Sequence, residues 1–185
     1  MKVYTKIGDE GKTTFFGCGL IDKDDPRIEA FGALDELNSV LGVTLCFIED
    51  EKLRQTLLKI QNDLFQVGAD LAGSAMTTKN IPRINEEQVK ELESAIDELD
   101  SKLGIPHKFV LPNGTVSSCF LHLTRAITRR AERSLVSVKD LLQLNPLLLI
   151  YVNRLSDYLY MLARDANKER DVKEQQPMYK YLGKG

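Results

Sequence analysis

The chain contains no tryptophan, only two histidines and only three cysteines among its 185 residues. The missing tryptophan decides nothing, but the other two shortages are informative. Cys18, Cys46 and Cys119 are odd in number, far apart and without a CxxC pair. That spacing excludes a disulfide framework and leaves reduced thiols in a cytosol-like compartment as the expectation. A di-iron bundle needs paired Glu-x-x-His motifs, and the residues three before His107 and His122 are Gly104 and Cys119. The same histidines and cysteines lack zinc-ligand spacing, and no serine or cysteine hydrolase elbow occurs. Long apolar runs are missing too. The longest, Pro146 to Val152, is far too short to span a bilayer, and the opening MKVYTKIGDEGKT has no apolar core of a secretory signal. Charge of one sign is not in excess, with 25 basic and 27 acidic residues for a net charge of −2. Such a balance gives no general attraction to nucleic acid or to an anionic membrane. A soluble cytoplasmic protein is expected, with neither of those as partner.

What is present is helical periodicity. Asp25-Pro26 offers a cap and a proline at the first helical position, followed by Leu34, Leu37, Leu41, Leu45 and Ile48 in steps of three and four. Leu53, Leu57, Ile60, Leu64, Val67 and Leu71 make a second such stripe. Val89, Leu92, Ile96, Leu99 and Leu103 make a third, opened by a capping box of Asn85 and Gln88. A fourth follows Thr115, with Phe120, Leu123, Ile127, Ala131 and Leu135 on one side, and a fifth starts at Asn145-Pro146 and carries Leu148, Val152, Leu155, Leu159 and Leu162. Hydrophobic residues make up 43% of the chain, enough to bury a core. The expectation is an all-α fold, a five-helix antiparallel bundle in a single domain over residues 1–170. Residues 1–25 form its loop segment and 171–185 a loosely held tail. Only 13–16 and 108–111 are candidates for extended structure.

Three stretches could carry chemistry. The first is the glycine- and threonine-rich loop TKIGDEGKTT (5–14), whose backbone N–H groups could converge on a phosphate. Gly11-Lys12-Thr13 looks like the end of a Walker A motif, but the position five before Gly11 is Lys6, not glycine, so that motif is excluded. The second is a basic column, Arg125, Arg129 and Arg133, spaced by four on the fourth helix and joined by Arg130. Guanidiniums stacked on one helix face repel one another unless an anion or carboxylates lie between them, and polyphosphate fits their planar forks. The third is a polar stripe on the fifth helix, Asn153, Asp157, Tyr160 and Arg164, beside Asp35 and Asn38 on the first. On residue types alone these remain open between a binding site and solvated or salt-bridged helix faces.

Taken together, TKIGDEGKT (5–13), Lys23, RIEAFGALDELNSVLG (27–42), FVLPNG (109–114), RAITRRAER (125–133) and NRLSDYLYMLAR (153–164) resemble the PduO-type ATP:cob(I)alamin adenosyltransferases, in the same order. The resemblance implies a homotrimer with ATP held at subunit boundaries, Mg²⁺ on its phosphates, and transfer of the 5′-deoxyadenosyl group to cob(I)alamin with release of triphosphate. It implies ATP contacts at Thr5, Lys6, Ile7, Gly8, Thr13, Thr14, Lys23, Arg129, Arg130, Glu132, Arg133 and Asn153. It further implies that Arg129, Phe109, Asp35 and Arg125 serve catalysis, the last three beside the corrinoid. Asp35 and Arg125 match a pair bridging subunits, and Phe109 matches an aromatic residue packing where the lower axial ligand would sit. A flavoprotein reductase is the implied supplier of reduced cobalt. Asn113 departs from the pattern, standing where many members have glycine. A non-catalytic nucleotide or corrinoid delivery module and a purely structural helical oligomer are the rival readings.

Overall fold

A computed structural model describes residues 4, 6–15, 19–74, 81–104 and 109–178. A 3-10 turn, Ile7–Glu10, leads into a hairpin of β1 (Lys12–Phe15) and β2 (Gly19–Asp22), paired antiparallel with Lys12 opposite Asp22. Five helices follow: α1 (Pro26–Leu45), α2 (Glu51–Gly73), α3 (Glu86–Leu103), α4 (Val116–Leu142) and α5 (Pro146–Lys168). Their starts fall where the sequence signals them. Asp25, Asn85, Thr115 and Asn145 each accept a backbone N–H from the first turn, and Asn85 with Gln88 closes the capping box. In the bundle α4 packs against α1 and α5, α5 also against α3, and α1 against α2. The hairpin is tied to the bundle by buried Phe15 and half-buried Ile21.

The apolar stripes of α1, α2, α3 and α5 enter the core as expected. The stripe of α4 enters only in part, with Ile127, Ala131 and Leu135 buried as expected. Leu123 is 48% exposed, and the buried line runs instead through Leu121, Thr124, Thr128, Ala131, Leu135, Val138 and Leu142. The reason is crowding, since α4 meets two helices at once and small residues let the backbones approach. The threonine hydroxyls are satisfied locally. Thr124 Oγ1 donates to the carbonyl of Phe120 at 2.8 Å and Thr128 Oγ1 to that of Thr124 at 2.9 Å. Thr44 of α1 meets Thr124 hydroxyl to hydroxyl at 2.7 Å, which sets the level at which α1 and α4 pack.

Two carboxylates fasten α2. Asp63 accepts from the buried Tyr151 hydroxyl of α5 at 3.0 Å and from Gln88 Nε2 of α3 at 2.8 Å. Burial pushes the Tyr151 phenol far up, with Asp63 acting in the same direction, so it stays a donor. Asp70, fully buried, accepts from the Ile84 N–H and from the side chain of Asn145, the cap of α5. Tyr151→Phe should therefore lose about 1.5–3 kcal/mol, the worth of a buried hydrogen bond to a carboxylate. Urea unfolding at fixed protein concentration measures it, and an unchanged midpoint would mean that this tie contributes nothing.

Candidate functional site

The expected site residues fall into four groups on different elements. In the first, Lys6 adopts the left-handed conformation (φ 67°), uncommon for a residue with a side chain, and opens the 3-10 turn that carries Ile7 and Gly8. Lys23 reaches back from beyond β2, and its Nζ donates to the Gly8 carbonyl at 2.8 Å. A Cβ at residue 8 would lie 2.9 Å from that nitrogen, so a side chain there would make the end of Lys23 shift. Thr13 is half-buried and Thr14 exposed on β1, while Thr5 lies outside the described residues, as do His107 and Cys18. Asp25 closes this region at the start of α1. Its double contact with Arg27 holds the carboxyl down at about 2.

The second group is on α4 and α5. Arg129 and Arg133 are exposed, Arg125 is half-buried, and none of the three makes an ion pair among the described residues. Arg133 donates to the Arg129 carbonyl at 3.0 Å, which keeps it along the helix. Arg130, by contrast, pairs with Glu36 of α1. Burial and the neighbouring Arg129 lower the Arg125 pKa, and its Nε is buried with no partner among the described residues. Glu132 accepts from Asn153 Nδ2 at 2.9 Å, and the Asn153 carbonyl oxygen accepts from Arg154 at 3.0 Å. Arg154 is itself held by Glu93 of α3 at 2.9 Å. The amide of Asn153 is thereby fixed in one orientation.

The third group is Asp35, exposed on α1 at the rim of an apolar cleft of about 270 Å³ between α1 and α2. Phe31 and Phe65 line the same cleft and are 45% and 75% exposed. Asp35 makes no ion pair among the described residues, so the Asp35–Arg125 pair does not form within one chain. The fourth is Phe109, 82% exposed in the connection before α4. Such exposure leaves Phe109 outside the core. Residues 109–111 form no strand, and β1 is the extended segment that the sequence signalled, although its partner β2 was not expected.

No hydrogen bond or ion pair among the described residues joins the N-terminal loop to the arginine column. One chain presents an array of exposed cations, a glycine-containing loop and an aromatic side chain in solvent, the makings of a polyphosphate site beside an apolar face. Among the described residues there is no cluster of histidine, cysteine or carboxylate groups able to hold a metal ion, and no helix is long and apolar enough to cross a membrane.

Comparison with known proteins agrees with this class of site. The cobalamin adenosyltransferase family matches residues 3–166, and the chain belongs to that family. It is 42% identical over 176 residues to a corrinoid adenosyltransferase of Bacillus subtilis, covering 93% of this chain and 90% of that one. With a corrinoid adenosyltransferase of Citrobacter freundii the identity is 41% over 172 residues, covering 92% and 98%. Among solved structures, a Phe-to-His variant of a PduO-type ATP:corrinoid adenosyltransferase from Lactobacillus reuteri, complexed with cobalamin and ATP, matches with a TM-score of 0.88. Its sequence identity is 38%, over 97% of each chain.

Sequence reasoning passed over Glu36, Glu93, Arg154 and Asn167, which touch the expected site residues or their supports, and Phe65, which lines the cleft of Asp35. For Asn167 a signal existed. The polar stripe at 153, 157, 160 and 164 continues by three to 167. Behind Arg125, His122 is buried, and burial with that neighbouring cation lowers its pKa to about 4 against a weaker opposing pull from Glu174. Its neutral form is the folded one. Above pH 6.5 it is neutral folded or unfolded and adds no pH dependence. As pH falls from 6.5 towards 4 only the unfolded chain takes the proton, and stability should drop by up to about 1.4 kcal/mol per pH unit. Unfolding midpoints between pH 7 and 5 should fall for the wild type and flatten in His122→Gln. Equal slopes would show that His122 titrates normally.

Proposed function

We propose that this chain transfers the 5′-deoxyadenosyl group of ATP to the cobalt of cob(I)alamin and releases triphosphate. The observation that carries the reading is the unneutralised column of Arg125, Arg129 and Arg133 in a chain of the cobalamin adenosyltransferase family. Cob(I) is a strong nucleophile. Its lone pair forms the Co–C5′ bond, the C5′–O bond breaks, and its electrons leave with triphosphate. No proton needs to be removed from the nucleophile, so a catalytic histidine is not required. The protein's work is alignment of cobalt, carbon and leaving oxygen, together with stabilisation of charge on the leaving group.

Arg129 in the middle of the column is the principal triphosphate ligand in this reading, with Arg130, Arg133 and Lys23 around it. Arg130 must exchange Glu36, and Lys23 the Gly8 carbonyl, for phosphate oxygens. Thr5, Lys6, Ile7, Gly8, Thr13 and Thr14 hold the remainder of the nucleotide, and Asn153 and Glu132 meet it as an already oriented pair. Mg²⁺ would be held by Glu132 together with the nucleotide phosphates, where it would add to the neutralisation of charge on the leaving group. The donor set fits that role, since Glu132 is the one carboxylate among these residues and Mg²⁺ commonly takes one or two carboxylates plus substrate phosphates. The assembly is a homotrimer. Asp35, without an ion-pair partner among the described residues, pairs with Arg125 of a neighbouring chain, and the exposed Phe31 and Phe65 beside it face the corrinoid or the neighbour. Phe109 occupies the lower face of cobalt, where an apolar ring cannot ligate. Without that σ-donor Co(II) accepts an electron more readily from the reductase, which we take to be a flavoprotein.

Two measurements test these roles. Adenosylation of cob(I)alamin, followed spectrophotometrically, should fall in Arg129→Lys by a factor equivalent to about 2–4 kcal/mol, because the charge stays but the fork is lost. Wild-type turnover would remove Arg129 from the mechanism. Phe109→Ala should keep the wild-type unfolding midpoint, as befits an exposed side chain, yet fail when cob(II)alamin must be reduced on the enzyme. Supplying cob(I)alamin ready-made should restore most of its activity, and equal loss from both starting states would contradict the axial role.

A further inference from the structure

The segment carrying Phe109 is held by groups to which no role has yet been given. Gly114, at φ 123°, lies in a region that favours glycine, and a Cβ there would sit 2.1 Å from Asn167 Oδ1. The chain bends at this point around the Asn167 amide. Asn167 Nδ2 donates to the Asn113 carbonyl at 2.9 Å, and Asn167 Oδ1 accepts the Thr115 N–H at 2.9 Å. One side chain at the end of α5, 3% exposed, thus spans the glycine and fixes the backbone on both sides of it. The stretch beyond Arg170, described to Met178, supplies a second hold. Leu111 N–H donates to the Gln175 carbonyl at 2.7 Å, and Asn113 Nδ2 donates to Gln175 Oε1 at 3.0 Å. Gln175 is in turn steadied through its neighbour. Arg164, nearly buried, grips Glu174 with Nε at 2.8 Å and with its second amino group at 3.4 Å.

These contacts fasten the positions two, four and six beyond Phe109, with Pro112 stiffening the path between them. Phe109 itself is anchored by nothing in its side chain, being 82% exposed. Its direction is therefore inherited from the backbone at Leu111 to Thr115. We propose that Asn167 and Gln175 are positioning residues that aim Phe109 at the lower face of the corrinoid. The Asn113 side chain couples the strap after α5 to that loop. The inference rests on the axial role of Phe109 given above.

The test uses the full-length protein with ATP and cob(II)alamin, comparing the wild type, Asn167→Ala, Gln175→Ala and Phe109→Ala. Three quantities are read: helical content, the fraction of four-coordinate cob(II)alamin by absorption, and the ratio of turnover from cob(II) to turnover from ready-made cob(I). In Asn167→Ala the four-coordinate fraction and the turnover ratio should each fall about 10-fold or more, as when a supporting shell is removed. Gln175→Ala, at an exposed site and keeping its backbone bond to Leu111, should lower both by about 2- to 10-fold, the worth of one neutral hydrogen bond. A merely structural role would lower turnover from both cobalt states alike and leave their ratio unchanged. A folded Asn167→Ala with the wild-type spectrum and ratio overturns the inference, provided that Phe109→Ala has lost them. If Asn167→Ala fails to fold, Gln175→Ala decides by the same two readouts. A Phe109→Ala that keeps the wild-type spectrum overturns the axial role itself, and the inference falls with it.

Discussion

Three guanidiniums in one column on α4, with no carboxylate paired to them among the described residues, are the constraint around which the rest of the structure is arranged. Like charges one helical turn apart are destabilising, and the effect is felt locally. Arg125 is half-buried, its pKa is lowered by burial and by Arg129, and its Nε lacks a partner among the described residues. The cost is accepted in a helix that is otherwise firmly seated. Thr124, Thr128 and Ala131 let α4 approach two neighbours, while the arginines occupy the remaining arc. A stripe of larger residues on the buried side would push the helix outward and move the column with it. An anion along that arc removes the repulsion, and this is the physical sense in which the fold asks for a triphosphate.

The scaffold behind the column is stiff where it needs to be. Asp63 joins α2, α3 and α5 through two hydrogen bonds, and Asp70 joins α2 to the linker before α3 and to the cap of α5. Because α5 is fixed at its start, the polar stripe along it has a defined height relative to α4. Asn153 then meets Glu132, Arg164 meets the strap beyond α5, and Asn167 meets the turn before α4. One helix thus supports the nucleotide end and the corrinoid end of the proposed site. Groups whose own orientation is fixed by packing and further hydrogen bonds hold reacting partners more closely than free side chains do.

Much of this was legible in the sequence, and the parts that were not share a cause. Caps and leucine stripes are local signals, so Asp25-Pro26, Asn85 with Gln88, Thr115 and Asn145-Pro146 mark the helix starts without knowledge of neighbours. The α4 stripe was misread at Leu123 because the buried face of that helix is set by two partners and is lined by threonine. Threonine does not register as apolar in a pattern. The axial loop posed a similar difficulty. FVLPNG suggests a stiff turn, but what holds it comes from residue 167 and from residue 175, more than fifty positions away. Asp35 and Arg125 show a further limit, since both are visible as charges on amphipathic helices while neither has an ion-pair partner among the described residues.

In the proposed assembly the site is completed between chains, with Asp35 of one subunit meeting Arg125 of the next. Subunit mixing tests it most directly. Asp35→Asn and Arg125→Ala proteins, each impaired alone, are unfolded together and reassembled, and adenosylation is compared with that of the same proteins reassembled separately. Mixed trimers contain boundaries where an intact Asp35 faces an intact Arg125, so the mixture should exceed the average of the two variants. Activity equal to that average, in an assembly verified to contain both chains, would contradict a shared site.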